Sequence, residues 1–137
     1  MTATRRSAAD VPVYSETLPR EAASVRLARQ LVRRALTAWG QAALEDTSTL
    51  IATELVANAV QHAGGHSLRI GVTLVEHGRV RVAVSDKSQT DARVRRPACD
   101  AEAGRGLLLV EAVASCWGVD HRRWGKVVWA EVVEDHA

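Results

Sequence analysis

This chain has only two cysteines, no phenylalanine and no long apolar run. Cys99 and Cys116 cannot build a disulfide framework, and neither stands in a metal-ligand spacing. A disulfide-stapled fold and a zinc-finger-type site are therefore excluded, and reduced thiols in a cytoplasmic compartment are the simplest expectation. No apolar stretch approaches the roughly 18 residues of a membrane span. Residues 1–10 are polar and lack the apolar core of a signal peptide. Surplus charge is scarce too: a net charge of +2 is too small to argue for direct nucleic-acid contact. The missing phenylalanine, set against four tryptophans, is compositional and points to no function. Repeats, low-complexity tracts and a Walker A loop are also absent.

What is there is a globular composition, 47% apolar and 25% charged, over 137 residues. That is enough for one domain and too little for two. Residues 1–12 read as a disordered tail and residues 13–134 as the domain. Val13 to Leu18 alternates as a short strand, and Pro19 is expected to open a helix over Arg20 to Trp39, closed by Gly40. A second helix, capped at Asp46 or Thr47, carries apolar residues around most of its circumference and should be the more buried. Gly64-Gly65 ends it. Ser67 to Val75 and Arg79 to Ser85 form a hairpin about His77-Gly78, with Arg69, Arg79 and Arg81 on a wetter face. After an irregular stretch at 86–103, a helix is expected from Leu107 to Trp117, stopped by Gly118, and a last strand from Lys126 to Val133. The order β-α-α-β-β-loop-α-β argues against a doubly wound parallel sheet. It predicts an α+β, two-layer α/β sandwich: a mixed, mostly antiparallel sheet with helices on one face.

Chemistry concentrates at a few places. Glu54 and Asn58 are four residues apart on the second helix, so they share a face. Asn58 suits a magnesium ion, which takes oxygen ligands and fills its shell with water and nucleotide phosphates. Glu54, one turn earlier, suits a general base. Taken alone, E-x-x-x-N is common, and an ordinary polar helix face explains it equally. His62, a further four residues along, either assists such a site or complements the helix C-terminus. Asp86 ends a strand, where its carboxylate can accept from an adenine amino group or simply start a turn. Gly104-Arg105-Gly106-Leu107 opens an apolar helix whose free N–H groups attract phosphate, though a glycine hinge reads the same way. A Rossmann fingerprint fails for want of a third glycine and a βαβ unit.

The order of these motifs resembles the ATP-binding domain shared by gyrase, the heat-shock chaperone, histidine kinases and mismatch-repair ATPases, the Bergerat fold. Glu54-Leu55-Val56-Ala57-Asn58-Ala59-Val60-Gln61-His62-Ala63, Gly104-Arg105-Gly106-Leu107 and Gly125-Lys126-Val127-Val128-Trp129-Ala130 look most like the stand-alone actinobacterial anti-sigma-factor serine/threonine kinases. The resemblance implies ATP and Mg2+ as cofactors, Glu54 as catalytic base and Asn58 as magnesium ligand. It implies Asp86 at adenine, with Ser88 beside it where the family has glycine. Gly104, Arg105, Gly106 and Leu107 would then line the phosphates, His62 the site's edge, and residues 87–103 the ATP lid. Val127 and Val128 stand where a threonine is usual. The implied partners are a sigma factor and a STAS-type anti-anti-sigma protein, with no membrane and no direct nucleic acid, and a homodimer by analogy. The implied function is an anti-sigma factor that phosphorylates its small partner. The alternative is a nucleotide-dependent partner-switching module without catalysis.

Overall fold

Leu68, Ile70 and Val72 alternate with Ser67, Arg69 and Gly71, and the same period runs through Val80, Val82 and Val84. Such alternation turns one row to a core and the other outward. In the computed structural model, which describes residues 3–6, 11–62, 65–87 and 105–134, these rows form the centre of a six-stranded sheet. Its strands are β1 (Ala3–Arg6), β2 (Pro12–Pro19), β3 (Ser67–Glu76), β4 (Arg79–Asp86), β5 (Cys116–Arg122) and β6 (Gly125–Val133). They lie in the order β1-β2-β3-β4-β6-β5, and every described pairing is antiparallel. Three helices, α1 (Ser24–Ala38), α2 (Glu45–His62) and α3 (Arg105–Val113), complete an α+β two-layer sandwich.

The architecture is the one expected, with four differences. The sheet is antiparallel throughout rather than mixed, because each connection between neighbouring strands reverses direction. Ala3–Arg6 pairs with β2 as an edge strand, inside the segment read as a disordered tail. The third helix ends at Val113, not Trp117, and Cys116–Arg122 is a strand. Gly118 therefore does not stop a helix. It sits in β5 under the Trp129 ring, where a Cβ would lie 2.9 Å from Cζ2. The residue is glycine because the indole occupies the space a side chain would need.

Helix α1 also begins later than expected. Pro19 still belongs to β2, and the Arg20 amide extends the ladder by donating to His66 O at 2.9 Å. Arg20 then reaches α2: Nη1 donates to Val60 O and Nε to Gly65 O, both at 2.8 Å. A guanidinium here satisfies a carbonyl at a helix C-terminus and complements its dipole. Helix α2 is the central one. It touches α1, α3, β4 and β6, and Ile51, Ala52, Leu55, Val56 and Ala59 are buried in the core. Leu31, Val32 and Leu36 of α1 and the inward rows of β3, β4 and β6 make up the rest. Among the described residues no helix is long and apolar enough to cross a membrane.

Candidate functional site

Helix α2 is built to hold a polar edge against a buried face. Glu45 and Asp46 suit the positive end of its dipole, and Thr49 Oγ1 donates back to the carbonyls of Glu45 and Asp46. With the sequence's apolar residues committed to the core, Glu54 and Asn58 fall along one border of the buried sector, each half-buried. Neither side chain has a hydrogen-bond or ion-pair partner among the described residues. A half-desolvated carboxylate and amide left this way are costly unless a ligand or water completes them. His62 follows on the same face, exposed in the last turn. Arg20 satisfies the nearby Val60 carbonyl, which leaves His62 free of a capping duty there.

Asp86 lies in the helix-facing row of β4, opposite Lys126 of β6. Both are buried, and Lys126 Nζ sits 3.3 Å from Asp86 Oδ2 and 3.4 Å from Oδ1. Gly125 makes this approach feasible. A Cβ there would fall 2.0 Å from the Asp86 carbonyl oxygen and 2.7 Å from Lys87 Cα. The sequence points to Asp86 but not to its partner Lys126. The available signal was lysine in an inward row, in register with Val128, Ala130 and Val132. Such a residue demands a buried anion.

The G-x-G segment falls partly inside the described residues. Arg105, Gly106 and Leu107 form the first turn of α3, which packs against α2. Gly104, Ser88 and most of the expected lid lie outside the described residues. Among the described residues no group of three or more His, Cys, Asp or Glu side chains could enclose a metal. A magnesium ion carried in by nucleotide phosphates needs no such cage, and the unpartnered Asn58 amide oxygen suits it. The donors present therefore fit Mg2+ with a triphosphate, and Asn58, beside Glu54, is the residue that could hold it.

A second cluster lies on the opposite face of the sheet. Glu131 of β6 is buried between Arg79 and Arg81 of β4, and both guanidinium groups donate to its carboxylate. Burial works to raise the Glu131 carboxyl, but the hydrogen bonds from Arg81 and Arg79 outweigh it and hold it below the ordinary glutamate value. The same contact with Glu131 raises Arg79. Arg81 also stacks 4.1 Å above the Trp129 ring. This cluster knits β4 to β6 at the end of the ladder opposite the Asp86–Lys126 pair.

No curated protein matches the sequence. Residues 18–132, most of the chain, match the family model of the histidine kinase-like ATPase domain. That match spans all three helices, the hairpin, the G-x-G segment and nearly all of the closing strand, and ATP is the ligand such a domain implies. The chain belongs to the histidine kinase-like ATPase family.

Proposed function

We propose that the protein is an ATP-dependent serine/threonine kinase that acts as an anti-sigma factor, with a small STAS-type anti-anti-sigma protein as its substrate. The observation that carries this reading is Glu54 beside Asn58 on α2, both half-buried and neither with a hydrogen-bond or ion-pair partner among the described residues. Magnesium supplies charge neutralisation at the phosphates when bound. Asn58 offers its amide oxygen to the metal. Glu54 accepts the proton of the partner's hydroxyl as that oxygen attacks the terminal phosphorus, and the bond from that phosphorus to the bridging oxygen breaks to release ADP. The N-terminal turn of α3 directs free N–H groups toward the phosphates. Asp86 takes the adenine amino group, sharing its carboxylate with Lys126. The bound sigma factor is released or retained according to the partner's phosphorylation.

A second reading, a partner-switching module that binds nucleotide without transferring phosphate, is favoured by two specific features. The adenine-facing carboxylate is already engaged by a buried lysine, and Val127 stands where a threonine is usual. Labelled ATP, incubated with the protein and a STAS-type partner, separates the two. The kinase reading expects label on a partner serine or threonine, lost in Glu54→Ala while nucleotide binding persists. Transfer that survives Glu54→Ala contradicts the catalytic role. Binding with no transfer in the wild type selects the module.

A further inference from the structure

A cavity of about 290 Å3 opens on the face of the sheet turned away from the helices, and no residue of α2 borders it. Thr17, Arg69 and Ser85 lie side by side across β2, β3 and β4, in the outward row opposite buried Leu18, Leu68 and Val84. Ser67, Leu68, Asp86, Lys87 and Trp124 complete the lining; the Asp86 side chain is only 1% exposed, its carboxylate paired with buried Lys126 in the helix-facing row.

Its chemistry is cationic and donor-rich. Arg69 Nη1 donates to Thr17 Oγ1 at 3.1 Å and Nη2 to Ser15 Oγ at 2.8 Å. Those hydroxyl oxygens act as acceptors, so the Thr17 proton is left to donate into the cavity. The remaining Arg69 N–H groups have no carboxylate partner among the described residues, and neither does Lys87. Two cations beside three hydroxyls match a doubly charged oxyanion better than a singly charged carboxylate. A phosphomonoester carries close to two charges near neutral pH. The volume exceeds what one phosphate fills, and the half-exposed Trp124 indole offers a face for a planar ring. We infer that this cavity is a second binding site, separate from the α2 site, for a small aromatic phosphate monoester. The site does not depend on the kinase reading.

The test uses the full chain and phenyl phosphate as probe, with inorganic phosphate as the comparison, followed by calorimetry and tryptophan fluorescence. Saturable phenyl phosphate binding is expected, at least tenfold weaker in Lys87→Glu and in Arg69→Gln. Lys87 is an exposed residue beyond the strand end, so its variant keeps the fold even where Arg69→Gln loosens β2. Inorganic phosphate should bind more weakly than phenyl phosphate, and Trp124→Ala should remove that advantage. Asn58→Ala should leave the affinity unchanged. The inference is overturned by an absence of saturable binding, by unchanged affinity in Lys87→Glu, or by equal affinity for the two probes. Weakening in Asn58→Ala also overturns it, because the probe would then occupy the α2 site.

Discussion

Asp86 and Lys126 form an ion pair across β4 and β6 with 3% and 4% of their surfaces exposed, on the side of the sheet that carries α2. Two charges out of water on neighbouring strands are expensive, and their pairing offsets part of that cost. The carboxylate proposed to hold adenine is thus also the counter-ion of a lysine.

Lys126→Met should cost about 3 kcal/mol by leaving Asp86 buried without its partner, whereas Asp86→Leu combined with Lys126→Met should recover most of that loss. Urea unfolding midpoints at constant slope measure both. The double variant should show no ATP-dependent thermal shift, since the base-facing carboxylate is gone. A full shift in that variant would remove Asp86 from the nucleotide site.

Glu54 and Asn58 behave in the opposite way. Because neither has a partner among the described residues, Glu54→Ala should change stability by no more than about 0.5 kcal/mol, and alanine's better helix propensity favours a small gain. ATP at about a hundred times its dissociation constant should add about 2.7 kcal/mol to the wild type. In Asn58→Ala the part of that gain that depends on magnesium should vanish. A loss of several kcal/mol in ligand-free Glu54→Ala would mean the carboxylate is structural.

Acid should attack the back of the sheet through Glu131. Its carboxyl is held below the ordinary value of 4.5 in the folded state, so the unfolded chain binds protons more readily. The stabilisation is complete above that ordinary value and is lost as pH falls through the lower folded one. Glu131→Gln should cost about 2 kcal/mol at neutral pH, partly screened because both arginines are about a third exposed. The variant's stability should also fall less steeply than the wild type's below pH 4.5. Parallel acid limbs for the two proteins would refute the linkage.

Gly125→Ala places a methyl group onto the Asp86 carbonyl, a main-chain atom that cannot swing aside. A cost of about 3 kcal/mol or more is expected, together with a weakened ATP response, because the displaced strand carries Asp86. Gly71→Ala, whose Cβ would meet nothing closer than 3.9 Å, is the matched control. Equal unfolding midpoints for the two variants would show that β4 yields easily at its end.

Local pattern made much of this molecule legible. The two-residue period of Leu68 to Val72 and Val80 to Val84 set the hairpin and its inward row, and Gly78, at a φ of 82°, makes the turn between them. The four-residue spacing put Glu54, Asn58 and His62 on one helix face before any fold was known. Residues 116–122 escaped because Gly118 looked like a helix stop, and its real reason, the Trp129 ring, comes from a neighbouring strand. Arg20 escaped likewise: its partners Val60 and Gly65 lie 40 and 45 residues away.

The sequence alone determined the central hairpin, the two long helices, their amphipathic faces and the polar trio on α2, because these follow from periodicities of two and 3.6 residues along a single chain. Only the tertiary structure decided that β6 inserts between β4 and β5, and so that Lys126 meets Asp86, Glu131 gathers Arg79 and Arg81, and Thr17, Arg69 and Ser85 line one cavity. Strand order brings together residues far apart in the chain, and each such contact depends on which backbones pair, information that no local spacing carries.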